Sequence, residues 1–344
     1  VPGGSETGDQ HGFATVWADV NGDGHRDLVM GAPNEAIGSV AAGLVIVMFF
    51  DATGPTTNGQ SFHQGTSGVP GVNENGDSWG HALAAGDFNG DGYDDVAVGA
   101  PGEDSGTTVD AGAITVLYGT TNGLTGAGSD SFHQGTSGVP GANETGDQFG
   151  HSLGVFGGDQ GTTTVLAVGA PTEDIGSTPD AGAVTRCSAS PAGLTPVANT
   201  LYQGAAAKGA RPALPGASEA GDMWGSTLAG TGDGVLAIGA PLEDISTTVD
   251  AGAVTLYAGF DATPLARTIH QGTAGVPGTN ESGDKWGAAV AAGGPGGQTV
   301  LVIGAPHEDI SSTIDAGSIV VIANPHPDAA IVATAFHQGS AGVP

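Results

Sequence analysis

The sequence predicts an all-β fold, a five-bladed β-propeller of four-stranded antiparallel blades. Gly-Ala-Pro recurs at Gly31, Gly99, Gly169, Gly239 and Gly304, in steps of 68, 70, 70 and 65 residues. A second marker keeps the same beat: Val1-Pro2-Gly3, Val69-Pro70-Gly71, Val139-Pro140-Gly141, Leu214-Pro215-Gly216 and Val276-Pro277-Gly278, with Val343-Pro344 repeating its start. Between markers lie short apolar runs separated by Gly-, Asp-, Asn- and Thr-rich turns, and no segment reads as a helix. Units that cannot bury a core alone must stack on their neighbours, and five whole units predict a closed ring over an open solenoid. The chain reads as one domain, 1–344, with blades near 1–68, 69–138, 139–213, 214–275 and 276–344.

Unit 2 shows the order of elements. His81–Gly86 is a first strand rich in small residues (Ala82, Ala84, Ala85), which suits the innermost position where blades converge. Val96–Val98, Ala113–Tyr118 and Ser129–His133 follow as second, third and fourth strands. The 3–4 connections differ most between units (50–60, 119–130, 188–199, 259–265, 324–330), so a distinctive site would find room there.

The 1–2 connection of unit 2 is Asp87-Phe88-Asn89-Gly90-Asp91-Gly92-Tyr93-Asp94-Asp95, and unit 1 has Asp19-Val20-Asn21-Gly22-Asp23-Gly24-His25-Arg26-Asp27. Oxygen side chains stand at positions 1, 3, 5 and 9, and a Gly at position 6 permits the sharp turn with which a short loop wraps a hard cation. The predicted Ca²⁺ ligands are the side chains of Asp19, Asn21, Asp23 and Asp27 with the His25 carbonyl, and of Asp87, Asn89, Asp91 and Asp95 with the Tyr93 carbonyl. An all-oxygen set of this spacing favours Ca²⁺ over Mg²⁺. Two structural ions are expected, because units 3 to 5 replace the loop with Gly157–Gly161, Gly232-Asp233-Gly234 and Gly294–Gly297, which lack the ligands.

From Trp79-Gly80 through the cation loop to Gly99-Ala100-Pro101, the chain resembles the FG-GAP repeat of integrin α-subunit propellers and their secreted bacterial relatives. The aromatic-Gly half recurs as Phe149-Gly150, Trp224-Gly225 and Trp286-Gly287, and as His11-Gly12 in unit 1. The resemblance implies the propeller and an extracellular binding role. The chain departs from it in having five units against seven blades, and cation loops in only two.

In antiparallel blades the 1–2 and 3–4 connections share one end, and the 2–3 and 4–1 connections the other. The latter two carry 23 of the 36 acids, so the formal charge of −30 is expected to be oriented opposite the cation loops. The recurring acids (Glu103, Asp104 and Asp110 in unit 2; Glu144 and Asp147 before Phe149) read first as acceptors for unpaired turn amides that fasten blade to blade. Further cation binding is the alternative. His63, His133, His270 and His337 read as structural, since unit 3 has Tyr202 in that place. Trp79, Phe149, Trp224 and Trp286 read as packing between blades, with a sugar-stacking platform as the alternative.

The charge excludes nucleic acid and anionic membrane as partners, which need a basic surface. No apolar run reaches the roughly 20 residues of a membrane span. Cys187, the one cysteine, is expected to be buried and inert. No nucleophile, base or carboxylate pair stands out as catalytic. The expected function is a secreted, monomeric, calcium-stabilised binding or adhesion propeller without catalytic activity, acting on a protein or carbohydrate ligand. The alternatives are a lectin-like propeller with several equivalent sites, or a polysaccharide-processing enzyme with one asymmetric site.

Overall fold

The computed structural model describes residues 6–157, 163–208, 212–259, 265–293 and 299–340. It is all β, with five four-stranded antiparallel blades arranged as a β-propeller and no helix among the described residues. Blade 1 holds β1 (Ala14–Ala18), β2 (Asp27–Ala32), a small hairpin β3 (Ala36–Ile37) and β4 (Val40–Ala41), then β5 (Leu44–Asp51) and β6 (Gly54–Phe62). Blade 2 holds β7 (Ala82–Gly86), β8 (Asp95–Ala100), β9 (Ala113–Tyr118) and β10 (Thr125–Phe132). Blade 3 holds β11 (Ser152–Gly157), β12 (Thr164–Ala170), β13 (Ala183–Ser188) and the short β14 (Thr195–Pro196). Blade 4 holds β15 (Thr227–Gly230), β16 (Val235–Ala240), β17 (Ala253–Ala258) and β18 (Leu265–Ile269). Blade 5 holds β19 (Ala289–Gly293), β20 (Val300–Ala305), β21 (Ser318–Ala323) and β22 (Val332–Phe336).

Two compact units divide the chain through the third blade. One runs to Val155 and includes Thr163–Val168 and Thr185–Thr200; the other takes Phe156–Thr162, Gly169–Val184 and Leu201 onward.

The second strands are largely apolar, and β8, β12 and β16 are buried almost throughout. That is what a continuous Val/Ile/Leu/Ala run requires when both faces of the sheet are covered. First strands of successive blades lie side by side, β1 with β7 and β15 with β19, so the small side chains do mark the inner position. The fourth strands begin earlier than their composition suggests. The expected 3–4 connection 50–60 is mostly β6, joined to β5 by a two-residue turn. Its Thr, Asn, Gln and Ser lie on a partly exposed edge strand, where polar residues are tolerated without an apolar pattern. The expected connections 157–161, 259–265 and 294–297, and the terminal markers at 1–3 and 343–344, lie wholly or mostly outside the described residues.

The aromatic-Gly and Gly-Ala-Pro signatures meet across the junctions of blades 1 and 2, 2 and 3, and 4 and 5. Gly80 N–H donates to the Gly99 carbonyl of its own blade at 2.9 Å, while its own carbonyl presses on Gly31 of the blade before. A Cβ on Gly31 would lie 1.9 Å from that oxygen; the corresponding gap is 2.1 Å for Gly99 against Gly150 and 2.5 Å for Gly239 against Gly287. Only glycine allows this approach of two backbones. The 4–1 connection is then zipped to the 2–3 connection of the preceding blade. Phe149, Trp224 and Trp286 amides donate to Ala111, Ala181 and Ala251 carbonyls at 3.0, 3.2 and 3.0 Å. The aromatic side chains beneath are fully buried. Trp79 lies in a cluster with Val45 and Val47 of blade 1 and Val96 and Val98 of blade 2. Truncating such a side chain to Ala costs about 3–5 kcal/mol.

Blade 5 lacks this covering among the described residues. A Cβ on Gly304 would meet only Ala289, its Cβ at 3.4 Å and its carbonyl at 3.8 Å; Ile319 is 45% exposed, and an apolar trough of about 610 Å³ runs along Ala289, Gly304, Ile319 and Phe336.

Candidate functional site

Both cation loops are turns in which Asp and Asn side chains fold back onto the loop's own amides. In blade 2, Asp87 Oδ1 accepts the Gly90 and Asp91 amides at 2.6 and 3.2 Å, and Asp87 Oδ2 accepts Gly92 N–H at 3.1 Å. Asn89 Oδ1 accepts Asp91 N–H at 2.9 Å, and Asp91 Oδ1 accepts Tyr93 N–H at 3.0 Å. Blade 1 repeats the pattern with Asp19, Asn21 and Asp23. The two loops also interlock. Asp19 N–H donates to Asp94 Oδ2 at 2.8 Å, Asp94 N–H donates to the Asp19 carbonyl at 3.1 Å, and the Tyr93 ring covers Gly22.

Position 9 behaves differently from positions 1, 3 and 5. Asp27 and Asp95 are fully buried at the start of the second strand. Asp95 accepts the Phe88 and Gly119 amides, both at 2.8 Å, and Asp27 accepts the Phe50 amide at 3.0 Å. This ties the start of the second strand to the 3–4 connection in blade 2 and to the end of β5 in blade 1. Burial, with Asp91 and Asp87 nearby, pushes the Asp95 carboxyl up to about 7. A cation would act in the opposite sense, and the donor set is the all-oxygen one that Ca²⁺ takes. Among the described residues, the aspartates of neither loop gather as a trio within 4.8 Å.

At the other end of the blades the acids serve as fasteners. Asp77, Asp147, Asp222 and Asp284 are buried, and each accepts the amide three residues before it, at 2.6–2.8 Å. Glu103 Oε2 accepts Nε2 of Gln64 from the preceding blade at 2.5 Å, and Glu243 accepts from Gln203 at 2.6 Å. Nine of the 23 acids of these connections are buried. Burial first, then neighbouring acids, raises Asp77 and Glu243 to about 7 and Asp222 to about 6. The oriented charge expected here is therefore partly internal and partly protonated near neutral pH.

The histidines are structural as expected. His63, His133, His270 and His337 each accept, at Nδ1, the amide two residues on, at 3.1 Å. Trp79, Phe149, Trp224 and Trp286 are each 0% exposed, which removes the sugar-stacking platform of the lectin-like alternative. Cys187 is buried, its thiol pushed up to about 12.

Two features escaped sequence reasoning. The first is at the tips of the 2–3 connections, each a tight hairpin closed by bridges such as Ser105 to Thr108 and Ile245 to Thr248. Val109, Val249 and Ile314 stand there 48, 53 and 75% exposed, each beside an aspartate held at positive φ (Asp110, Asp250, Asp315). Their signal was present: Thr-Val-Asp-Ala-Gly or its Ile variant recurs inside polar turns, where an apolar residue has no core to enter. The second is a row of tilted rings in contact, just before the first strands. Phe13, His81 and His151 lie 4.8 Å apart in turn. Burial lowers both histidines, His151 to about 4, so the pair is neutral at pH 7. A cavity of about 270 Å³ adjoins them, lined by Ser78, Asp110 and Gln148.

The FG-GAP repeat family matches residues 11–48 and 79–117, the two units that carry cation loops. Phosphatidylinositol-glycan-specific phospholipase D of Rattus norvegicus is 36% identical over 113 residues, 33% of this chain and 13% of the relative. Integrin alpha-3 of Cricetulus griseus is 29% identical over 176 residues, 50% of this chain and 15% of the relative. The chain therefore spans a small part of these proteins. A thermostable family-43 glycoside hydrolase aligns over 98% of this chain and 96% of its own at 10% identity and a TM-score of 0.47, which carries no argument about activity.

Proposed function

We propose that this FG-GAP repeat β-propeller is a secreted adhesion module without catalytic activity, stiffened by two Ca²⁺ ions, that binds a protein partner through the tips of its 2–3 connections. The observation that carries the reading is the exposed apolar residue at the same tip in blades 2, 4 and 5, on a hairpin already formed and, in blades 2 and 5, beside exposed acids. Exposed apolar side chains on rigid turns suit protein contact, and the polar surround keeps them soluble. The recurring buried acids are spent on junctions, which argues against a single catalytic pair among them. No helix among the described residues is long and apolar enough to cross a membrane. The Ca²⁺ would be held by Asp19, Asn21 and Asp23, and by Asp87, Asn89 and Asp91, with Asp27 and Asp95 contributing lone pairs left free by their amide contacts. Its role is to neutralise clustered carboxylates at the junction of blades 1 and 2.

The enzyme alternative keeps one supporting observation, the His81–His151 cavity, whose histidines have Phe13, Ser226 and Ala288 in their place in the other blades. The test has two parts. Calorimetry is expected to give two Ca²⁺ per chain and one in Asp91→Ala, with EDTA lowering the melting temperature; absence of Ca²⁺ binding to the native chain removes the ions from the proposal. Cells should adhere to a surface coated with the Ca²⁺-loaded chain, and Val249→Ser with Ile314→Ser should abolish this at unchanged melting temperature. Retained adhesion in that variant, or turnover of a polysaccharide by the chain, would overturn the binding role.

A further inference from the structure

Blades 2 to 5 open with a buried aromatic residue, and blade 1 opens with His11. The change builds a cluster unlike the other junctions. In blades 2, 4 and 5 the glutamate of the 2–3 connection is met by a glutamine amide from the blade before: Gln64 on Glu103, Gln203 on Glu243 and Gln271 on Glu308. Glu35 holds the equivalent place in blade 1 and is met by His11, with Nε2 3.1 Å from Glu35 Oε2. The Glu35 side chain is 0% exposed, and its Oε1 has no hydrogen-bond partner among the described residues. Asp9, itself buried, completes a trio in which one ligand atom from each residue lies within 4.8 Å of the others.

A buried carboxylate oxygen with no partner is costly, and an imidazolium on Oε2 leaves Oε1 unanswered. A dication among the three groups answers both carboxylates and the imidazole together. We infer that Asp9, His11 and Glu35 form a Zn²⁺ site, separate from the two Asp-Asn-Asp loops. One imidazole nitrogen with two carboxylate oxygens suits a borderline ion, whereas Ca²⁺ and Mg²⁺ take all-oxygen sets. Zn²⁺ bonds of about 2.0–2.2 Å in tetrahedral geometry put neighbouring ligand atoms about 3.3–3.6 Å apart. The His11–Glu35 pair already stands at 3.1 Å. The His11 side chain is 37% exposed, which gives the ion a way in and leaves a coordination position facing water.

The experiment uses the full chain saturated with Ca²⁺, so that the loops are filled, and titrates it with ZnCl₂ by calorimetry. CoCl₂ in a parallel titration reports four-coordination through its visible absorption. One saturable Zn²⁺ per chain is expected. His11→Gln supplies the amide that the other blades use, so it should keep the melting temperature measured in EDTA while weakening Zn²⁺ at least tenfold. Asp9→Asn should weaken Zn²⁺ to the same degree, and Asp91→Ala should leave it unchanged. No saturable Zn²⁺, or wild-type affinity in both His11→Gln and Asp9→Asn, overturns the site.

Discussion

Trp286 shows how much a single substitution within a repeat can leave unmet. Trp79 and Trp224 donate from Nε1 to Thr115 and Thr255 Oγ1 at 3.3 and 3.2 Å, within their own blades. In blade 5 the threonine position is Val320, 1% exposed, and Trp286 Nε1 is buried with no acceptor. A buried unpaired donor costs about 1–3 kcal/mol. Val320→Thr restores the acceptor at nearly equal volume, so the urea midpoint should rise by the equivalent of about 1 kcal/mol. An unchanged or lower midpoint would refute this account. The identity of the indole's partner was legible in the alignment of the five units, but the need for it was not, because sequence does not show which buried N–H lacks a bond.

The blade junction is the element on which the architecture rests, and its glycines carry the test. Gly99→Ala places a Cβ 2.1 Å from the Gly150 carbonyl, a backbone atom that cannot step aside. We expect it to cost about 2–3 kcal/mol, in the range of overpacked cores. Gly304 holds the same place in blade 5, where the nearest atom to such a Cβ is Ala289 Cβ at 3.4 Å. Gly304→Ala should change stability by less than about 0.5 kcal/mol, as surface substitutions do. Denaturant unfolding of the two variants decides the matter, and equal costs would refute this distinction between the two glycines. The Gly-Ala-Pro beat was plain in the sequence. What it is for, the approach of two backbones, became clear only when the aromatic-Gly carbonyl was seen against it.

Across the molecule the buried acids set the response to pH. Asp77, Asp95 and Glu243 sit near 7 and Asp222 near 6, against ordinary values of 3.8 and 4.5, with burial the leading cause in each. A carboxyl whose folded pKa is raised favours the folded state while protonated. Its contribution is complete below about pH 4 and is lost as pH climbs through 6 to 7. In EDTA the melting temperature should therefore fall between pH 5 and pH 8, and repulsion within a chain of charge −30 acts in the same direction. Saturating Ca²⁺ should flatten the part due to Asp95. A melting temperature that rises over this window in EDTA would show that these acids are ionised and satisfied in the fold.

The five-unit beat, the strand order within a blade, the two Asp-Asn-Asp loops and the structural histidines were all determined by the sequence itself. They are local patterns, in which spacing along the chain dictates which side chains can serve a turn or a strand. The tertiary structure alone decided which acids are buried, that the recurring aromatics are closed to ligands, that Val109, Val249 and Ile314 are open to them, and that His11 stands over Glu35. Those outcomes depend on the neighbouring blade, and burial by a neighbour is a property of packing that no spacing within one unit encodes.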